Sequence, residues 1–187
     1  KSQLDELMKE SSARAQVIAL KQLPQSWEAC MRDARAALAF GAALDPADGL
    51  LYTPVSGGLR FIAAPLLSCI NGRARSLAEV SVGVVLNAQL DGQVRASRGL
   101  VAALQAQVIG AIGASFEHEI DLAATLEASD VRAAQARLIK KYPVRPQDPT
   151  SCNELTEAAR RDTTLTQVLF ANPKELIDAW IKDACHG

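Results

Sequence analysis

The chain has 187 residues, of which 49% are hydrophobic and 22% are charged. This length suits one globular domain, 1–187, and the composition is too apolar for an intrinsically disordered chain. The 20 basic and 21 acidic residues give a net charge of −1, so no overall field attracts nucleic acid or an anionic membrane. Only 4% of residues are aromatic while alanine is abundant, which favours packed helices over sheets.

The first forty residues show apolar positions at helical spacing, interrupted once by a proline. The pattern predicts a helix over Ser2–Gln22, which ends at Pro24 because proline removes a helical hydrogen bond. Ser26 is placed to cap a second helix that runs to about Phe40, where Gly41 provides a stop.

Residues 50–62 change in character and predict a short insert. Two extended runs flank Ser56-Gly57-Gly58, which is typical of a β-hairpin, and Pro54 restricts its strand to an edge. An irregular loop is the alternative. We expect Tyr52, Gly57, Gly58 and Phe61 to form a partner surface, because loops on a rigid scaffold often carry recognition.

Two helices are expected between the insert and residue 90. A short one over Pro65–Ile70, which belongs to the irregular-loop alternative, would end at Asn71-Gly72. A second begins at the capping box Ser76-Leu77-Ala78-Glu79, in which the serine and glutamate side chains satisfy exposed backbone amides, and it runs to about Leu90.

The segment 98–126 predicts the central helix of a bundle. Bulky residues recur at four-residue spacing, and a second row of small residues, offset by two positions, points to the opposite side. We therefore expect neighbouring helices on both sides. The apolar stretch 99–116 is shorter than the ~20 residues of a membrane span, so membrane contact is the less favoured interpretation. The bulky row is Leu100, Leu104, Val108, Ile112, Phe116 and Ile120, and the small row is Ala102, Ala106, Gly110 and Ala114.

The last third of the chain predicts a helical subregion, 150–187, behind a proline-rich crossing. The preceding helix kinks or restarts at Ser129-Asp130, and 142–149 holds three prolines that make it stiff and extended. The capping box Ser151-Cys152-Asn153-Glu154 opens one helix, and Asn172-Pro173 opens the last one. The fold class is thus all-α, a helical bundle of five to seven helices with a short irregular or β-hairpin insert near residues 50–62.

Four cysteines lie far apart in the sequence, without the paired spacing of a structural zinc site. Cys152 lies near the start of one tail helix and Cys185 near the end of another, so antiparallel packing would bring them together, which leaves Cys30 to pair with Cys69. Four unbridged core thiols are the alternative. An even cysteine count favours a secreted or periplasmic protein. A chain that begins at Lys1 fits either a trimmed or a processed form.

The densest ionisable cluster is Glu117-His118-Glu119. Adjacent helical side chains point about 100° apart, so a solvated polar face is favoured over a metal or acid–base site. Hydrolase, phosphate-loop and dinucleotide motifs are missing, and we expect no cofactor and no metal.

These observations favour a non-enzymatic helical protein, exported from the cytoplasm, that binds a protein partner or associates with itself through helix faces. One alternative is a carboxylate-dependent enzyme or small-ligand carrier with a pocket inside the bundle. The other is a membrane-active secreted effector that inserts the helix around 99–116.

Overall fold

The computed structural model describes residues 2–40, 50–52, 60–90 and 98–186. Three helices are long and three are short, and the two strands of a small sheet follow the first helix in the sequence and precede the second. In chain order the elements are α1 Ser2–Ala39, β1 Leu50–Tyr52, β2 Arg60–Ile62, α2 Ala64–Leu90, α3 Arg98–Lys141, α4 Pro149–Arg161, α5 Thr163–Thr166 and α6 Pro173–His186.

The predicted fold class is confirmed, since the six helices of the described residues fall within the expected five to seven. The insert near 50–62 contains an antiparallel strand pair, as the hairpin alternative requires, with Leu50 opposite Ile62 and Tyr52 opposite Arg60. The turn residues Ser56, Gly57 and Gly58 lie outside the described residues.

The chain forms two compact units. Unit 1 contains residues 1–31 and 68–119, and unit 2 contains residues 32–67 and 120–187. Each of the three long helices therefore contributes one part to unit 1 and the other part to unit 2. The single domain 1–187 with a subregion from 150 stays a prediction.

Unit 1 is built from parts of α1, α2 and α3. The Trp27 ring of α1 lies 6.2 Å from the Phe116 ring of α3, at a tilt of 42°, and the Cys30–Cys69 disulfide joins α1 to α2. Fully or nearly fully buried aliphatic and alanine side chains supply most of the core, in keeping with the low aromatic content. They include Ala15, Ala19 and Leu23 of α1, Ala74, Ala78, Val82 and Val85 of α2, and Leu104, Val108 and Ile112 of α3.

The predicted break at Pro24 is wrong, because α1 runs through it without interruption. Pro24 itself is exposed, while Leu23, Ser26 and Cys30 around it are buried. The buried stripe thus continues past the proline at helical spacing, and tertiary packing outweighs the lost hydrogen bond. Ser26 consequently lies inside the helix and is not its cap.

The predicted helix end at Asn71-Gly72 and the predicted restart at Ser129-Asp130 are also wrong, while a kink at Ser129-Asp130 stays a prediction. Asn71 and Gly72 are exposed positions inside α2, so the capping box at 76–79 does not begin a helix. Ser129 and Asp130 are exposed positions inside α3, which continues to Lys141. In both helices the buried face continues across the polar residues. A residue of low helix propensity on the solvent side destabilises the helix only by that propensity, about 1 kcal/mol for glycine relative to alanine.

The two rows of α3 have different surroundings. Of the bulky row, Leu104, Val108, Ile112, Phe116 and Ile120 are at most 2% exposed. The small row is exposed at each of its four positions, so the expectation of neighbours on both sides of this helix is wrong for the described residues. A Cβ built on Gly110 meets no atom within 4 Å. One side of α3 therefore faces the core, and the other is left uncovered by the described chain.

Unit 2 has its own core, between the second part of α3 and the short helices. The cluster contains Val131, Ala134, Leu138, Leu155, Ala159, Leu165, Val168 and Ile177, with Trp180 packed against it. The Cys152–Cys185 disulfide ties α4 to α6.

The short helices of unit 2 begin at side-chain caps. The Asp148 side chain accepts from the Thr150 amide at 3.1 Å, so α4 begins at Pro149 and not at the predicted box over 151–154. Ser151 instead donates from its hydroxyl to the Asp148 carbonyl at 2.8 Å. The predicted start of the last helix is confirmed, because Asn172 accepts from the amides of Lys174 and Glu175 ahead of Pro173 in α6.

Candidate interaction surfaces

Both predicted cysteine pairs are confirmed. The sulfurs of Cys30 and Cys69 are 2.06 Å apart, and those of Cys152 and Cys185 are 2.07 Å apart. Cys30 is fully buried, whereas Cys152 and Cys185 are partly buried. Each bond joins two helices of the same unit, and no free cysteine occurs among the described residues.

An open apolar groove runs between α1 and α2 in unit 1. It encloses about 460 Å³ and is lined almost entirely by apolar atoms. Val17 of α1 is 54% exposed and Val84 of α2 is 52% exposed, although both are aliphatic. Arg14 is the charged residue of its wall. The lining residues are Ala13, Arg14, Val17, Ile18, Val84, Val85 and Ala88.

The uncovered side of α3 is the second apolar surface of unit 1. An 18-residue window of α3 has a mean hydropathy of 1.5, yet only 22% of it is buried. By length and composition α3 could cross a membrane, and it is the one such helix among the described residues. A core helix of a soluble domain has a similar hydropathy but is mostly buried. This window of α3 is therefore strongly apolar although most of it is not buried among the described residues.

A polar groove of about 570 Å³ lies in unit 2 between the end of α3 and α4. Its charged side chains are partly neutralised by one another. Arg137 donates to Asp162 at 2.6 Å, and Arg161 lies 3.4 Å from Glu157. A third cation, Lys141, lies 5.5 Å from the centre of the Tyr142 ring. The groove thus presents mixed charge and no excess of one sign, with three basic and three acidic side chains in its lining.

The sequence-predicted partner surface is only partly described. Phe61 lies in β2 and is half-buried, opposite Leu51 of β1. Tyr52 is the last residue of β1, while Gly57 and Gly58 lie outside the described residues. Arg60 forms an ion pair with Asp121 of α3, which attaches the strand pair to the helix within unit 2. The role of these residues in partner binding stays a prediction.

The polar cluster at 117–119 lies within α3. His118 is exposed, and Glu117 and Glu119 are half-buried, so the three side chains leave the helix in different directions. No group of three or more potential metal ligands occurs in the part of the chain that the structure describes.

One carboxylate that the sequence did not single out organises a loop of unit 2. Glu127 of α3 accepts from the backbone amides of Leu169 and Phe170, at 2.7 and 3.1 Å. Burial raises the pKa of the Glu127 carboxyl, and these two hydrogen bonds and the positive charge of Arg35 act in the opposite direction. The Leu169 carbonyl in turn accepts from the Ala63 amide at 2.8 Å. Glu127 thus fixes the loop between α5 and α6.

Val17 and Val84 were also missed by the sequence reasoning. In the sequence both stand among apolar neighbours at helical spacing, which is the signal of a core position. Only the packing of α1 against α2 shows that these two valines lie at the edge of the contact, where each is about half exposed.

Comparison with protein families, with curated proteins and with solved structures found no match to this chain.

Proposed function

We propose that this chain is a non-enzymatic, exported helical protein that binds another protein or a second copy of itself through the exposed helix faces of unit 1. The observation that carries the proposal is the apolar groove between α1 and α2, where Val17 and Val84 expose half of their surface. Exposed aliphatic side chains gathered around a groove are typical of interaction sites, whereas single exposed aliphatic residues need no explanation.

The groove suits a helix or an extended segment of a partner. Its wall is apolar and open, and Arg14 at its edge can pair with a carboxylate of the segment that docks there. Covering the groove would remove apolar surface from water, which stabilises a complex by about 25 cal/mol per Å² of buried apolar area.

Export is supported by the two disulfides. Bonds of this kind persist in secretory and periplasmic compartments, whereas the cytosol keeps most thiols reduced. Each disulfide joins two helices of one unit, and Cys30 is fully buried. These are features of structural bonds rather than of exposed redox-active pairs.

Site-specific photocrosslinking tests the groove. A photoreactive amino acid replaces Val17 or Val84 in the protein expressed in its own cells, with Leu126, 67% exposed on α3 in unit 2, as the matched control position. We expect crosslinked protein adducts from both groove positions and fewer from Leu126. Equal adducts at all three positions, or none from the groove, would contradict the proposal.

The small-ligand carrier is the second candidate, and the unit 2 groove is the observation that favours it. Its volume of about 570 Å³ falls within the range of about 300–1,000 Å³ of small-molecule sites. Its charged groups pair with one another, however, through Arg137 with Asp162 and Arg161 with Glu157. A ligand would have to compete with these pairs, so we rank this function second.

A further inference from the structure

One face of α3 in unit 1 carries two rows of residues at four-residue spacing. The first row is Arg98, Ala102 and Ala106, and the second row is Ile109, Gly113 and Glu117. At about 100° per residue, all six positions fall within an arc of about 100°. The first four are exposed, and Gly113 and Glu117 are half-buried. We refer to these six residues as the α3 outer face.

The α3 outer face has opposite charges at its two ends. Arg98 stands at the start of the helix and Glu117 at the far end of the face, and residues 99–116 between them carry no formal charge. An uncharged helix face bracketed by one cation and one anion is complementary to itself when a second helix lies against it in the opposite direction.

The spacing makes this complementarity specific. A twofold axis that passes between the two helices, level with the midpoint of residues 107 and 108, places the first row of one copy opposite the second row of the other. Each pair of opposed positions is equally far from that midpoint along the helix. Arg98 then lies opposite Glu117, and Ala102 lies opposite Gly113. Ala106 lies opposite Ile109, so the largest side chain of the face meets a small one. Small residues at such positions let two helix backbones approach closely.

The composition of the face favours a protein helix over lipid as its cover. Helices that lie on membranes carry Trp, Phe or Leu on the apolar face and several Lys or Arg on the polar face. The α3 outer face has Ile109 as its one large aliphatic side chain, and Arg98 as its one basic group. The side of the helix next to this face, with Val108 and Ile112 at 0% exposure and Phe116 at 1%, is already buried, so lipid could reach one side only.

We propose that the α3 outer face binds the same face of a second copy of this chain, with the two helices antiparallel about a twofold axis. The inference rests on the proposed function and names the partner for this second surface of unit 1. Twenty helical residues span about 30 Å and a helix is about 10 Å wide, which gives a smaller contact than the ~800 Å² per partner of a stable dimer. The association is therefore weak and reversible. Glu117 can accept from a second copy in addition to any contact of its own, because a carboxylate has about four lone-pair sites.

Sedimentation equilibrium of the purified, oxidised protein from about 1 μM to about 1 mM measures this association directly. Gly113→Gln places a long, uncharged side chain in the contact, and Gly72→Gln on α2 is the matched control. A Cβ at either glycine meets no atom within 4 Å, so both variants are expected to fold, as circular dichroism verifies. We expect Gly113→Gln to weaken the dimer by about tenfold or more and Gly72→Gln to leave it unchanged.

Charge exchange tests the direction of pairing. Arg98→Glu and Glu117→Arg each place like charges opposite one another, and each is expected to weaken the dimer by about fivefold. The double variant has the net charge of the wild type and is expected to restore the dimer to within about twofold of it. A parallel pairing predicts no such restoration.

A monomer at every concentration overturns the inference, and so does a dimer that Gly113→Gln leaves intact or that the double exchange fails to restore. A third outcome also overturns the inference. If the protein stays monomeric but binds vesicles of phosphatidylcholine and phosphatidylglycerol, and Gly113→Gln abolishes that binding, the α3 outer face binds lipid instead of a second copy. In each of these cases, crosslinking through Val17 and Val84 leaves the proposed function in place. If the crosslinks from Val17 and Val84 are missing as well, the proposed function is also contradicted.

Discussion

A single carboxylate holds a whole loop of unit 2 in position. Both oxygens of Glu127 accept backbone amide protons, from Leu169 and Phe170, and Leu169 is 1% exposed. An amide buried in this way has no access to water, so removing its acceptor leaves the full cost of an unsatisfied group, about 1–3 kcal/mol. The carboxylate is itself partly desolvated, so its protonation state changes the free energy of unfolding.

The raised pKa of Glu127 determines whether the free energy of unfolding rises or falls with pH. Its folded-state pKa lies above the unfolded value, mainly because of burial, so the folded state retains this proton more strongly. The contribution to stability is fully present below the unfolded pKa and is lost as the pH rises through the folded pKa. Arg35 of α1 and Asp130 of α3 are the charged groups whose fields act on it, in opposite directions.

We therefore predict that the free energy of unfolding of the wild type falls, relative to that of Glu127→Gln, as the pH rises from about 4 to about 7. Urea unfolding at a series of pH values measures both proteins. Glu154→Gln on the exposed side of α4 is the matched control and should keep the wild-type profile. Parallel profiles for the wild type and Glu127→Gln would show that Glu127 does not titrate differently on folding.

At the scale of elements, the sequence predicted the start of α6 correctly, whereas the capping boxes at 76–79 and 151–154 do not begin helices. Asn172 and Pro173 begin α6 as expected, because the cap and the fixed proline dihedral act within one turn. The sequence also predicted correctly that Cys152, near the start of α4, pairs with Cys185, near the end of α6.

The lengths of α1 and α2 were not predictable in the same way. Pro24 and Gly72 are breakers by propensity, yet both lie on exposed sides of helices whose buried stripes continue past them. The free energy that keeps such a helix intact comes from the packing of its other face, which a local pattern does not reveal. The same limit explains α3, where two apolar rows predicted two neighbours and one row is uncovered.

The two disulfides lead to a prediction about the oxidation state of the four cysteines in the cell. Each bond clamps two helices of one unit, α1 to α2 or α4 to α6, and an exported protein keeps both. When thiols in intact cells are trapped by acid and then alkylated, we expect no label on the wild type before reduction and four labels after it. Cys152→Ser is the control, since its released Cys185 should take one label. Four labels on the wild type without reductant would place the protein in a reducing compartment.

For the whole molecule, the sequence indicated binding rather than catalysis but placed the candidate surface elsewhere. The expected partner residues, Tyr52 and Phe61, lie on the strand pair of unit 2, whereas the apolar groove between α1 and α2 lies in unit 1. Exposure of Val17 depends on how the helices pack, and apolar periodicity does not distinguish a core position from a groove position. The function class and the partner role of Tyr52 and Phe61 both stay predictions, and the groove at Val17 and Val84 could not be located from the sequence.

The central claim is that the native protein works while bound to another chain. The size of the wild type in a gentle extract of its own cells, measured by native mass spectrometry beside a Val17→Asp/Val84→Asp double variant, tests it most directly. We expect the wild type in a complex well above the 19.9 kDa of one chain, and the variant depleted from that complex. A wild type found only at 19.9 kDa would contradict the account.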